Sequence, residues 1–150
     1  MDAVTYPNQA VTQFVQNNLI AVRVRNDQPL ADLFKVKWTP TLVLVDPEGK
    51  EVYRNVGFLP PDNLVPALML GIGKLELQHG NYDKAIPHFD RVASKFPQSE
   101  EAPEAIYFMG VSRFKMNSDL KMMKETYNRL EATYPNSSWT RKAQPYGSVK

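Results

Sequence analysis

Residues 38–46 read WTPTLVLVD, a Thr-Pro step followed by an apolar run that ends at an aspartate. The nearly continuous apolar run at 41–45 predicts a strand with both faces covered. Residues 46–49 follow as DPEG, which suits a type I turn because Asp, Pro and Gly stand at its first, second and fourth positions. The segment 51–57 (EVYRNVG) then predicts a second strand, so the sequence indicates an antiparallel hairpin.

Upstream of this hairpin, apolar residues recur at helical spacing over residues 8–19, and Asn8 is a suitable N-cap. Residues 20–25 (IAVRVR) alternate and predict a strand, and residues 30–36 predict a short helix. The first part of the chain therefore has the pattern of an α/β unit.

Beyond Pro60-Pro61 the period of the apolar residues changes from that of strands to that of helices. We expect helices over residues 62 to about 79, 82–95, 103 to about 116, 119–133 and 139 to about 144. Residues 145–150 are expected to form a disordered tail.

Two segments of this helical part repeat each other. Each runs from a small residue (Gly73, Gly110) through a helix, a break and a second helix to an aromatic-proline step, FPQS at 96–99 and YPNS at 134–137. A period a little above ~34 residues is typical of a helix–turn–helix solenoid.

These residues resemble the tetratricopeptide repeat family over residues 67–143. The first unit fits the family pattern at Gly73, Gly80, Tyr82, Ala85, Phe89 and Pro97. The second unit is looser, because residues 117–120 replace the glycine–tyrosine turn, Met123 replaces an alanine and one residue is inserted.

The repeat resemblance implies a groove that binds a protein or an extended peptide. Carried over to this sequence, the groove-facing residues are Leu70, Lys74, Gln78, Tyr107, Val111 and Arg113. Lys74 and Arg113 would hold an acidic peptide or a terminal carboxylate, unless both are solvated surface charges. The short helix at Trp139 is expected to act as a cap that packs on Leu130 or Tyr134.

The stretch WTPTLV at 38–43, with the following hairpin and Gly57, resembles the C-terminal part of thioredoxin-like domains. This resemblance implies a cis Thr39–Pro40 bond in a peptide-binding loop beside a Cys-x-x-Cys pair. Residues 1–7 resemble the remainder of the active-site helix, so the cysteine pair and the central strand are expected to lie before Met1, unless the chain is a natural reduced variant that starts there. The chain itself contains no cysteine and cannot carry out thiol–disulfide exchange.

The missing central strand would have lain between the strands at 20–25 and 41–45 of one sheet. Each of these strands would then have an unpaired edge, which favours pairing with another chain. Either the two strands close up as neighbours, or two chains associate and supply each other's edge, and we expect self-association.

Other chemistry is not indicated. The net charge is +2 and the basic residues are dispersed, so no nucleic-acid partner is expected, and the longest apolar run, 64–75, is too short for a membrane span. The two histidines, His79 and His88, lie on different predicted helices without metal-site spacing, so we expect no metal and no cofactor. No signal peptide is recognised, which indicates the cytoplasm for the chain as it stands, although a longer parent could be exported.

The sequence thus predicts an α/β plus all-α protein, with a partial thioredoxin-like unit at 1–66 and a short tetratricopeptide-like solenoid at 67–144. The expected function is non-catalytic binding of a peptide or protein. The alternative is that the chain is the C-terminal portion of a thiol–disulfide oxidoreductase, which cysteine codons upstream of Met1 would establish.

Overall fold

The computed structural model of the chain describes residues 1–149. It divides into a first compact unit, Met1–Val65, and a second that begins at Pro66. The division falls inside a long helix, α3 (Pro61–Gln78). Two domains were expected at 1–66 and 67–144, one residue away from this division.

The first unit contains two helices and two strands, α1 (Gln9–Asn18), α2 (Pro29–Leu33), β1 (Thr41–Val45) and β2 (Glu51–Val56). Helix α1 begins after Asn8, whose side-chain oxygen accepts hydrogen bonds from the backbone N–H groups of Ala10 (3.0 Å) and Val11 (3.3 Å). The predicted N-cap is therefore confirmed, since these two groups have no partner inside the helix.

Strands β1 and β2 form the predicted antiparallel hairpin, with a bulge between Leu44 and Val45. The turn closes through a hydrogen bond from the Gly49 N–H to the Asp46 carbonyl (2.9 Å), and Gly49 has a φ of +82°. The side chain of Asp46 also accepts from the Lys50 N–H at 2.7 Å. A positive φ at this position favours glycine, so the turn residues alone largely specify the hairpin.

The strand predicted at 20–25 does not form, and this prediction was wrong. Among the described residues, the only sheet is the two-stranded pair β1–β2, and the segment 20–25 has no ladder partner. Ile20 and Val22 are 95% and 72% exposed. The expectation of two covered faces for β1 also fails, since only Leu44 of that strand is buried. A strand needs a neighbour for its hydrogen bonds, and within residues 1–149 no further strand lies beside either segment.

The second unit is built from consecutive helices with short connections. After α3 these are α4 (Tyr82–Lys95), α5 (Glu101–Asn117), α6 (Lys121–Thr133) and α7 (Ser138–Ala143). Helix α4 packs on α5, α5 on α6, and α6 on α7. The predicted helical repeats are thus present with element bounds close to those expected. Within residues 1–149, no helix combines the length and the apolar character that crossing a bilayer requires.

The core of the second unit follows the repeated apolar positions. One buried cluster joins Phe89, which is fully buried, to Leu70, Ala85, Val92, Ala105 and Met109, and a second contains Ala93, Ile106, Leu130 and Ala143. The small residues Gly73 and Gly110 allow close approach, because an added methyl group would meet the Phe89 ring and the Thr126 side chain respectively. These contacts join the helices of each repeat.

Residues 144–149 differ from the disordered tail that was predicted for 145–150. Gln144–Ser148 form a 3-10 helix that packs on α6, with Gly147 against the Tyr127 ring. The ammonium group of Lys124 donates to the Val149 carbonyl at 2.7 Å. Lys150 lies outside the described residues. These contacts are with residues distant in sequence, which local composition does not reveal.

Candidate functional site

The six residues predicted to face a groove lie on α3 and α5, but the structure does not bring all six to one surface. Lys74, Gln78, Tyr107 and Val111 are half-buried or exposed. Leu70 is only 3% exposed and belongs to the core cluster around Phe89. Assigning Leu70 to the groove was therefore wrong, because its side chain is used for packing.

Arg113 is the second correction. A helix turns about 100° per residue, so Arg113 and Tyr107 are about 120° apart around α5, whereas Val111 lies only about 40° from Tyr107. Arg113 instead lines a cavity between α5 and α6, together with residues such as Met109 and Arg129. The arginine therefore belongs to a different surface from the other predicted groove residues on α5.

Lys74 connects the first helices of the two repeats. Its ammonium group donates to a Glu104 carboxylate oxygen at 2.9 Å, and it lies 5.3 Å from the centroid of the Phe108 ring. The side chains of Lys74 and Glu104 are 29% and 20% exposed. Partial burial strengthens the attraction between the two charges but also adds a desolvation cost, and the pairing neutralises the lysine that was predicted to bind an acidic group.

Three aromatic rings continue this surface from α5 to α7. The Trp139 ring centroid lies 5.2 Å from that of Tyr107 and 5.3 Å from that of Phe108, and these two rings are 5.6 Å apart. The ammonium group of Lys142 is 3.7 Å from the Trp139 centroid. We call the five residues Lys74, Tyr107, Phe108, Trp139 and Lys142 the aromatic surface.

The partners of Trp139 differ from those expected. Trp139 was predicted to pack on Leu130 or Tyr134, but it contacts the rings on α5. The contact with the Leu130 cluster comes instead from Ala143, which is fully buried. Sequence reasoning thus missed Phe108, Trp139 and Lys142 as members of this surface. The signal that could have found them is the S-x-x-[AT]-x-x-A pattern at 99–105 and 137–143, which aligns α7 with α5.

The hydroxyl of Tyr107 stays protonated over the physiological range. Burial raises the pKa of Tyr107, and the neighbouring Tyr146 raises it further through its charge and its hydrogen bond. Tyr107 therefore acts as a neutral hydrogen-bonding group rather than as a base. The surface can bind through ring faces, lysine ammonium groups and this hydroxyl.

In the first unit, the loop at Thr39 and Pro40 leads into β1. The Thr39–Pro40 peptide bond is cis. The Thr41 hydroxyl donates to the Trp38 carbonyl at 2.6 Å, and the Gly57 N–H donates to the Pro40 carbonyl at 2.8 Å. The Trp38 side chain is 75% exposed. The loop therefore presents an indole on a backbone that is held in place, which suits binding.

Comparison with known protein families gives two matches. A family model of the thioredoxin-like domain matches residues 3–71, and a family model of the tetratricopeptide repeat matches residues 67–99 and 104–137. No curated protein and no solved structure gives a significant match to the chain.

Proposed function

The chain carries a thioredoxin-like domain followed by tetratricopeptide repeats, and from this premise we propose that it is a non-catalytic module that binds a polypeptide partner. Tetratricopeptide repeats generally mediate protein–protein interactions. A chain without cysteine has no thiolate to attack a disulfide, so its thioredoxin-like part would act by binding alone.

The observation that carries this proposal is the aromatic surface. Tyrosine and tryptophan offer large contact areas at low entropic cost, and they are enriched at the centres of protein interfaces. Here their rings are only half-buried, so part of each remains open to a partner. The preferred partner is an extended peptide whose apolar side chains cover these rings.

Charge indicates how such a peptide would lie. Lys74 is neutralised by Glu104, whereas Lys142 forms no ion pair among residues 1–149. An acidic residue of the peptide would gain most beside Lys142, and an uncharged residue would fit beside Lys74. The peptide is therefore expected to place its negative charge at the α7 end.

A displayed library of random peptides, selected on the full chain, tests this proposal. Selected peptides should bind Tyr107→Ala roughly tenfold more weakly than the original chain, as for a central interface residue. They should bind Lys84→Gln, an exposed lysine on α4, with unchanged affinity. Equal binding to both variants would locate the interaction elsewhere and refute the proposal.

We further propose that the first unit self-associates through its unpaired strand edges. Within residues 1–149, neither β1 nor β2 has a second strand neighbour, and Ile20 and Val22 are largely exposed. Such edges and apolar side chains favour pairing with a second copy. Sedimentation equilibrium at tens of micromolar should show a dimer that Val22→Asp weakens, while Leu120→Asp in the second unit leaves it intact. A monomeric chain at that concentration would contradict the proposal.

The alternative, in which the chain is the C-terminal portion of a thiol–disulfide oxidoreductase, stays a prediction. Its test is the in-frame coding sequence upstream of Met1. Two cysteine codons separated by two others would support it, and a stop codon would remove it.

A further inference from the structure

The cavity between α5 and α6 has an apolar floor and a charged rim. Its volume is about 180 Å³. The floor is formed by Ile106 and Met109, each 2% exposed, and by Thr126, which is 7% exposed. Arg113, Glu125 and Arg129 line the same cavity and are exposed. The cavity therefore combines a surface that excludes water with charges that remain accessible.

The charges of the rim do not neutralise each other. Two guanidinium groups and one carboxylate give a formal net charge of +1. Among residues 1–149, the side chains of Arg113 and Arg129 take part in no ion pair and no hydrogen bond. The Thr126 hydroxyl donates to the Met122 carbonyl at 2.7 Å. One carboxylate beside two guanidinium groups leaves one positive charge of the rim uncompensated, and an anion bound at the cavity would neutralise it.

We propose that this cavity binds the carboxylate of a glutamate side chain from a polypeptide partner. Arginine holds carboxylates through paired N–H donors in a planar fork, and two arginines can hold one carboxylate from both sides. The methylene groups of the glutamate would cover Ile106 and Met109. One negative charge balances the net +1 of the rim, whereas a phosphate carries about −1.5 to −2 and would overcompensate it.

This site is separate from the aromatic surface. Arg113 and Tyr107 are about 120° apart around α5, so the two surfaces face different directions from that helix. The inference therefore does not depend on peptide binding at the aromatic surface, and variants of one surface should leave binding at the other unchanged.

The test is an NMR titration of the full chain with a peptide of alanine and serine that contains one glutamate and is acetylated and amidated at its ends. The matched control is the same peptide with glutamine. The glutamate peptide should shift the arginine Nε–Hε signals and the amides of α5 and α6, and the glutamine peptide should not. Arg113→Gln and Arg129→Gln should each weaken binding roughly tenfold, whereas Arg91→Gln on α4 should not.

A variant that is expected to strengthen binding, rather than weaken it, makes the test sharper. Glu125→Gln raises the net charge of the rim to +2 and should strengthen glutamate binding severalfold, which loss of structure would not do. Equal shifts with the glutamine peptide, unchanged affinity in both arginine variants or weaker binding to Glu125→Gln would each overturn the assignment. Tighter binding of a phosphoserine peptide would replace the carboxylate with a phosphate as the ligand.

Discussion

Adding a single methyl group at Gly110 should destabilise the second unit. A Cβ at this position would overlap the Oγ1 of Thr126 and would lie 2.8 Å from its Cβ and Cγ2. Thr126 is 7% exposed, and its hydroxyl is bonded to a backbone carbonyl. Because one of the overlapped atoms is a Cβ attached directly to the backbone, helix α6 itself would have to move.

Two opposing effects decide the magnitude. Replacing glycine by alanine inside a helix ordinarily stabilises it by about 1 kcal/mol. Overpacking a well-filled core costs about 1–3 kcal/mol, and backbone movement places this case toward the upper end. Gly110→Ala should therefore lower the free energy of unfolding by about 1–2 kcal/mol.

Urea unfolding followed by far-ultraviolet circular dichroism would measure this loss, with Thr126→Gly as the second arm of a double-mutant cycle. Thr126→Gly removes all three overlapped atoms. In that background Gly110→Ala should become stabilising by about 1 kcal/mol, since only the helix propensity remains. If Gly110→Ala alone is as stable as the original chain, or if it still destabilises the Thr126→Gly background, the close approach of α5 and α6 at this point is refuted.

Three further outcomes are expected. Lys74→Met should lower the free energy of unfolding by about 1.5 kcal/mol or more, because it leaves the mostly buried Glu104 carboxylate unpaired. The control variant Lys84→Met should change it little, and chemical unfolding measures both. Burial raises the pKa of Glu101 above its ordinary 4.5, so the folded protein binds this proton more tightly than the unfolded chain does. The free energy of unfolding therefore falls as pH rises from the unfolded pKa through the folded pKa. Glu101→Gln should therefore stabilise the chain at neutral pH but not at about pH 4, and a gain of equal size at both pH values would exclude this cause. In an insulin-reduction assay the chain should give the rate of buffer alone, since it has no thiol; turnover above buffer would contradict this expectation.

Local signals account for the elements that were predicted correctly. The β1–β2 turn depends on Asp46, Pro47 and Gly49, which are adjacent in the chain, and the start of α1 depends on the side chain of Asn8. The helices of the second unit follow from apolar periodicity and from glycines that stand where helices approach closely. Each of these causes acts within one element or between neighbouring elements.

The wrong predictions concern contacts with residues that are distant in the sequence, or the direction in which a side chain points. The segment 20–25 has the pattern of a strand, but a pattern does not supply the neighbour that its hydrogen bonds require. Leu70 occupies a groove position in the repeat pattern, yet its side chain packs in the core. Trp139 was assigned to the nearest apolar residues in sequence, whereas its ring contacts lie on α5.

The amino-acid sequence alone determined the hairpin, the repeated helices and the lack of a cysteine thiol, since these depend on local spacing and composition. Tertiary structure decided which side chains share a surface. It placed Lys74 beside Phe108 and Tyr107 beside Trp139, and it brought Arg113 and Arg129 to one cavity. The physical reason is that a binding surface depends on the rotation and packing of several helices at once, and those are set by the shapes of buried side chains far apart in the chain.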